Sequence, residues 1–216
     1  MTVQLQRTGT GNLSGMLTTG ASLRRSLCAP PPPAWTSAAL GGCLAELSGE
    51  PGAPSLTLAF GLVRQVQQRG EPVAWLARAD STFYPPDAAE GGVDLAALPV
   101  IRLAGVRQRL LAAEQLARAG AFGLLVIDLG ACLDLPLAAQ TRLADQAVAH
   151  GMLILCLTAK AEQQPSLGSL VAVRGHALRI RRGTGRFACR VQALKDKRRG
   201  PGWTDEEWCR GPDGLY

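Results

Sequence analysis

No apolar run in this 216-residue chain approaches the roughly 20 residues that cross a bilayer, and the N-terminus mixes polar and basic side chains without a continuous apolar stretch. Both absences lead to the expectation of a soluble, cytoplasmic protein with no membrane partner. No Cys-x-x-Cys pair occurs either: Cys28, Cys43, Cys132, Cys156, Cys189 and Cys209 are scattered, and Cys156 lies inside an apolar run. That spacing fits reduced thiols better than disulfides or zinc. The two histidines, His150 and His176, have no Cys or carboxylate cluster beside them, so no metal site, cofactor or His-based catalytic centre is expected. What is present is 47% apolar content, enough at this length for one α/β domain with a real core and flexible ends.

One further absence is a single lysine. Between a strand-like and a helix-like run the chain reads Ser48-Gly49-Glu50-Pro51-Gly52-Ala53-Pro54-Ser55-Leu56-Thr57-Leu58, where a phosphate-binding P-loop would have G-x-x-x-x-G-K-[ST]. Gly49 opens the loop, but Pro54 stands at the second glycine, Ser55 at the lysine and Leu56 at the hydroxyl. Proline also removes a backbone donor from the cradle. The alternative is a plain Gly/Pro turn between strand and helix.

The rest of the pattern alternates strands with helices. Residues 43–47 read as a first strand, and Leu58, Leu62, Val63 and Val66 recur at helical spacing up to Gly70. Strands follow at 72–77 and 98–103, with a short helix at about 87–90 between them and an amphipathic helix at 107–119 closed by Gly120. The apolar strand 124–128 ends in Asp128, a helix spans about 137–150, and a buried-type strand covers 152–157. This predicts an α/β fold with a mostly parallel twisted sheet and helices on both faces. Three short strands, 170–174, 177–182 and 187–194, predict an antiparallel extension at one edge. Residues 1–36, which end in a proline run, read as a flexible arm or linker, 37–199 as the core domain and 200–216 as a tail. In that tail, Thr204 to Glu207 would cap a short turn bearing Trp203 and Trp208.

Charge is uneven along the chain. From Arg174 to Arg199 there are ten Lys and Arg residues against the one acid Asp196. The alternation of Leu178 and Ile180 with Arg179 and Arg181 puts the arginines on an open face. Arg179, Arg181, Arg186, Arg190, Lys195 and Lys197 thus form a candidate surface for a partner's acids or for weak, sequence-indifferent, salt-sensitive DNA binding; a solvated strand face is the alternative. Trp203 and Trp208 are candidate anchors for a partner, or else pack back onto the domain.

The collinear order of these phrases resembles the core of the RecA recombinase family, and more closely its shortened offshoot, the ImuA-type accessory proteins of bacterial inducible-mutagenesis cassettes. The likeness runs over about residues 41–199 and is carried by 44–70, by Phe83-Tyr84-Pro85-Pro86 through Gly92-Val93-Asp94-Leu95-Ala96-Ala97-Leu98, and by Gly120-Ala121-Phe122-Gly123 into the strand ending at Asp128. The Leu178-Arg179-Ile180-Arg181-Arg182 strand and the run 191–199 also fit.

The resemblance implies a RecA-like core with a degenerate nucleotide site at Gly49, Ser55, Thr57 and Asp128. The water-activating acid falls at Ala79, or at Asp80 with one gap; Asp128 alone clearly survives. The two DNA-contacting loops are cut to 129–136 and about 160–169, and the glutamine switch position reads Thr158 or Ala159, so direct DNA pairing is not expected. Lys195-Asp196-Lys197 resembles the Lys-x-Lys element that reaches a neighbour's nucleotide. The implied role is a non-catalytic adaptor in SOS-type mutagenic translesion synthesis. Its implied partners are an ImuB-like inactive Y-family polymerase subunit, an error-prone C-family polymerase and RecA itself. An atypical RecA-type ATPase and a SulA-like cell-division inhibitor are the alternatives.

Overall fold

Twelve elements follow one another in the computed structural model, which describes residues 35–81, 83–181 and 186–210. Strands β1 (Leu44–Ser48), β2 (Val73–Arg78), β3 (Val100–Leu103), β4 (Leu124–Gly130), β5 (Leu153–Thr158), β6 (Val173–Arg181), β7 (Arg186–Asp196) and β8 (Thr204–Arg210) form one eight-stranded sheet in the order β3-β2-β4-β5-β1-β6-β7-β8. Helices α1 (Ser55–Gln68), α2 (Pro85–Glu90), α3 (Val106–Ala119) and α4 (Leu137–His150) connect the parallel part. β1 to β6 pair in parallel, whereas β7 and β8 run antiparallel to their neighbours. The chain is therefore a mixed α/β protein with a mostly parallel sheet and an antiparallel C-terminal part.

The continuous burial of β1 and β5 follows from their place in the middle of the sheet, where both faces are covered. Side chains alternate between two core layers. Ala45, Leu47, Trp75, Val126 and Leu155 meet α1 through Leu58, Leu62 and Val66, while Leu44, Leu76, Ile127 and Ile154 meet α3 and α4. The second layer is lined by small helical residues, Ala113, Ala117, Ala139 and Ala147, which let both helices lie close to the strands. In the first layer Phe60, Trp75 and Phe83 form an aromatic trio with ring centroids 5.2 to 5.6 Å apart. α3 ends as its sequence predicts, at Gly120 in the left-handed region (φ 65°).

The C-terminal part differs from expectation twice. The separate strands expected at 170–174 and 177–182 are one strand, β6, and Gly175 lies within it. A Cβ there would come within 2.6 Å of Val191 and 2.9 Å of the Trp35 ring, so the glycine admits Trp35 against the sheet and marks a register shift against β7. The capped turn expected at Thr204 to Glu207 is instead the edge strand β8, paired with β7 from Gln192↔Thr204 to Arg186↔Arg210. Local capping signals yield here to a ready-made neighbouring edge. Trp35 is buried, so packing starts before the expected core boundary at 37; of the arm assigned to residues 1–36, residues 1–34 lie outside the described residues. No helix among the described residues is long and apolar enough to cross a membrane.

Gly175→Ala is expected to cost about 2 kcal/mol through overpacking against Trp35 and Val191. Urea unfolding should show the lowered midpoint; an unchanged midpoint would mean that the Trp35 contact is soft.

Candidate functional site

Parallel strands place their C-terminal ends, and the loops that leave them, at one end of the sheet. Residues 49–54, 131–136 and 159–172 meet there. The β1–α1 connection folds tightly on itself: Gly49 N–H donates to Thr158 O (3.1 Å), Ala53 N–H to Glu50 O (2.9 Å), and Pro54 is buried at the base of α1. A Cβ on Gly49 would stand 2.5 Å from Ser55 Oγ and 2.7 Å from Ala53 Cβ. Ser55 is half-buried against its own loop, and Thr57 is exposed on the first turn of α1.

Asp128 lies on β4, two strands from β1 and so about 10 Å across the sheet. It is half-buried, and its Oδ1 accepts from Gly130 N–H (3.1 Å). Beside it, Arg78 makes a two-pronged pair with Asp80 (3.0 and 2.8 Å), which holds that carboxyl below its usual range. Arg109 is buried and donates to Leu103 O and Ala104 O; burial lowers its affinity for a proton, and the charge of Asp128 opposes that shift. Topology thus gathers Gly49, Ser55, Thr57 and Asp128 at one end of the sheet, with Asp80 tied to Arg78.

Sequence reasoning missed the most concentrated polar feature of this end. Glu46 is fully buried in the middle of β1. Its Oε1 takes Thr158 Oγ1–H (3.0 Å) and faces Lys160 Nζ (3.3 Å), with Arg174 Nε at 4.0 Å; its Oε2 takes Ser166 Oγ–H (2.9 Å) and Leu167 N–H (2.8 Å). Lys160, also fully buried, donates to Leu133 O and to Pro165 O. Arg174 donates to Ser48 Oγ, Gln164 O and Ala161 O, and Ser48 Oγ lies 3.1 Å from His176 Nδ1. Gln140 of α4 bridges Leu135 O and Leu170 N–H, passing Gly168 at a distance that leaves no room for a Cβ. The connection 159–172 is thus fastened from β1, β6 and α4. One signal could have exposed this network: a glutamate inside the otherwise buried-type strand Leu44-Ala45-Glu46-Leu47.

The candidate partner surface is dispersed by the fold. Lys195 donates to Gly168 O and Ser169 O, and Arg190 pairs with Glu206; Arg174, at the start of the same basic run but outside that candidate surface, is internal. Burial, with the charge of Lys197, lowers the affinity of Lys195 for its proton. Arg179 stacks over Phe187 at 4.1 Å, while Arg181 and Lys197 are exposed; β7 begins at Arg186, whose side chain lies outside the described residues. Trp203 packs back, its indole N–H donating to Asp196 Oδ2 (2.9 Å), whereas Trp208 stays 68% exposed. Burial pushes the Asp196 carboxyl up, but bonds from Arg199 N–H, Trp203 and Arg198 N–H outweigh it and hold it below the usual range. Among the described residues no group of three or more His, Cys, Asp or Glu is placed to hold a metal ion. Compared with known proteins, the sequence matches no family model and no curated protein.

Two outcomes follow from the buried network. Lys160→Met leaves the Glu46 carboxylate uncompensated and should cost about 3 kcal/mol or more, while Glu46→Gln combined with Lys160→Met should lose less than Lys160→Met alone. Urea midpoints of the three proteins decide this. His176 is buried beside Arg174, and burial followed by that charge lowers its affinity for a proton. The unfolded chain then binds the proton first, at about pH 6.5. Stability should therefore fall as pH drops below that value, until the folded form is protonated as well. His176→Gln should remove this part of the pH dependence, and an identical slope in the variant would assign it elsewhere.

Proposed function

We propose that this protein is a non-catalytic accessory with a RecA-like core, acting through protein contacts in damage-induced mutagenic translesion synthesis. The reading takes an ImuB-like inactive polymerase subunit as its first partner, with RecA and an error-prone C-family polymerase in the same assembly. The observation that carries it lies at the β1–α1 connection. At the place of a phosphate cradle, Pro54 is buried and Gly49 closes on Ser55 and Ala53, with no space for even a Cβ. The fully buried cation of this end, Lys160, is committed to Glu46 and to two carbonyls.

The element order and the antiparallel C-terminal strands are those that the resemblance implies, and they support the reading without deciding it. A scaffold whose phosphate site is filled by its own chain acts through surfaces. Arg181 and the 68% exposed Trp208 are side chains of the kinds that dominate binding hot spots.

Two measurements test this together. Calorimetric titration with Mg-ATP should give no heat up to millimolar nucleotide. Capture of a purified ImuB-like subunit should succeed and weaken by about 2 kcal/mol, roughly thirtyfold, in Trp208→Ala. Micromolar nucleotide binding lost in Asp128→Ala would put an ATPase first, and failure of capture by the intact protein would remove the adaptor reading.

A further inference from the structure

Among the described residues β8 is the last strand in the sheet order, and on the α1 side of this edge lies a pocket of about 260 Å³. Trp35, Leu58 and Val191 give it apolar walls, Gln65 of α1 adds an amide, and Asp205 and Glu207 supply carboxylates, while Glu206 turns its own to Arg190 on the other face; among the described residues no Lys or Arg lines it. The volume lies below the ~300–1,000 Å³ typical of sites for drug-sized ligands, so it suits one long side chain. In a chain of formal charge +6, this concentration of acids at one concave place selects for a cation.

The fold builds this place rather than leaving it to surface chance. Pairing of Val191 with Asp205 and of Cys189 with Glu207 puts both acids on the α1 face of the strand. Asp205 Oδ2 accepts the backbone N–H of Trp35 (2.9 Å), which ties the strand to the pocket wall. Glu207 Oε2 lies 3.4 Å from the position of a Cβ on Gly61, a glycine inside α1 that costs helix stability and lets the carboxylate approach. All three acids already hold partners. A carboxylate offers about four acceptor positions, so a guanidinium or ammonium can be added beside those partners.

We propose that this edge docks an extended, basic segment of a partner protein, which adds to β8 as a further strand and places one arginine or lysine between Trp35 and the carboxylates of Asp205 and Glu207. An added strand gains backbone hydrogen bonds along the edge, while the pocket beside it reads a side chain. Acids along β8 oppose pairing with a second copy of β8 or with an acidic strand, so edge protection and selectivity come from the same residues. The inference stands apart from the accessory reading and does not depend on it.

The test uses two acetylated, amidated five-residue peptides, one alternating valine with arginine and one alternating valine with glutamate, titrated into the isotopically labelled full chain. The arginine peptide should produce saturable NMR shifts at the Trp35 indole and at the amides of β8, and the glutamate peptide should not. Asp205→Asn and Glu207→Gln, which keep side-chain shape, should each weaken binding by about two- to fivefold, with a larger loss in the double variant. Equal binding of both peptides, shifts confined to other parts of the chain, or no saturable shift at millimolar peptide would overturn the proposal. The two-peptide comparison in the unmodified protein decides the outcome even if a variant folds poorly.

Discussion

A carboxylate with no access to water, in the middle of a central strand, has to find a cation and a donor for each oxygen or shed its charge. Glu46 meets that requirement with Thr158, Lys160, Ser166 and the Leu167 N–H, and with Arg174 at the limit of ion pairing. The partners are spread over three successive stretches of chain. Satisfying one strand residue therefore positions the end of β5, the irregular connection that follows it and the start of β6. Through Lys160, which also holds Leu133 O, it reaches the loop after β4. The loops at this end of the sheet are set by electrostatics as much as by apolar packing.

That arrangement changes what this end of the sheet can do. In an open α/β sheet the crevice at the strand ends is the usual place for a ligand. Here the β1–α1 turn is closed by Gly49, Ala53, Pro54 and Ser55, and the neighbouring cation faces inward. That closure is the observation on which the proposed accessory role rests. The antiparallel extension carries two features of different character: the exposed Trp208 on one face, and the acid-lined pocket on the α1 face of β8.

The parallel core was legible in the residues because its signals are local and redundant. Apolar runs of strand length, helical repeats such as Leu58, Leu62 and Val66, and the glycine stop at residue 120 all point the same way. The extension was harder to read. Gly175 falls between two expected strands and serves as a place of close approach to Trp35, and the segment from Thr204, expected to cap a short turn, pairs as an edge strand. In both cases the deciding partner is far away in sequence. The basic cluster was counted correctly and interpreted too simply: charge composition does not tell which arginine turns inward to Ser48, as Arg174 does, and which stays in solvent, as Arg181 does.

By itself the sequence determined the order of strands and helices as far as β5, the buried character of the central strands and the absence of a lysine from the turn after β1. These depend on periodicity and on residue identity at fixed spacing, which a linear chain carries in full. Only the tertiary structure decided that Glu46, Lys160 and Arg174 form one network, that Trp35 belongs to the core, and that acids of β8 converge on a pocket beside it. The reason is that side chains up to 170 positions apart, as Trp35 and Asp205 are, acquire a common environment only when the sheet brings their strands together.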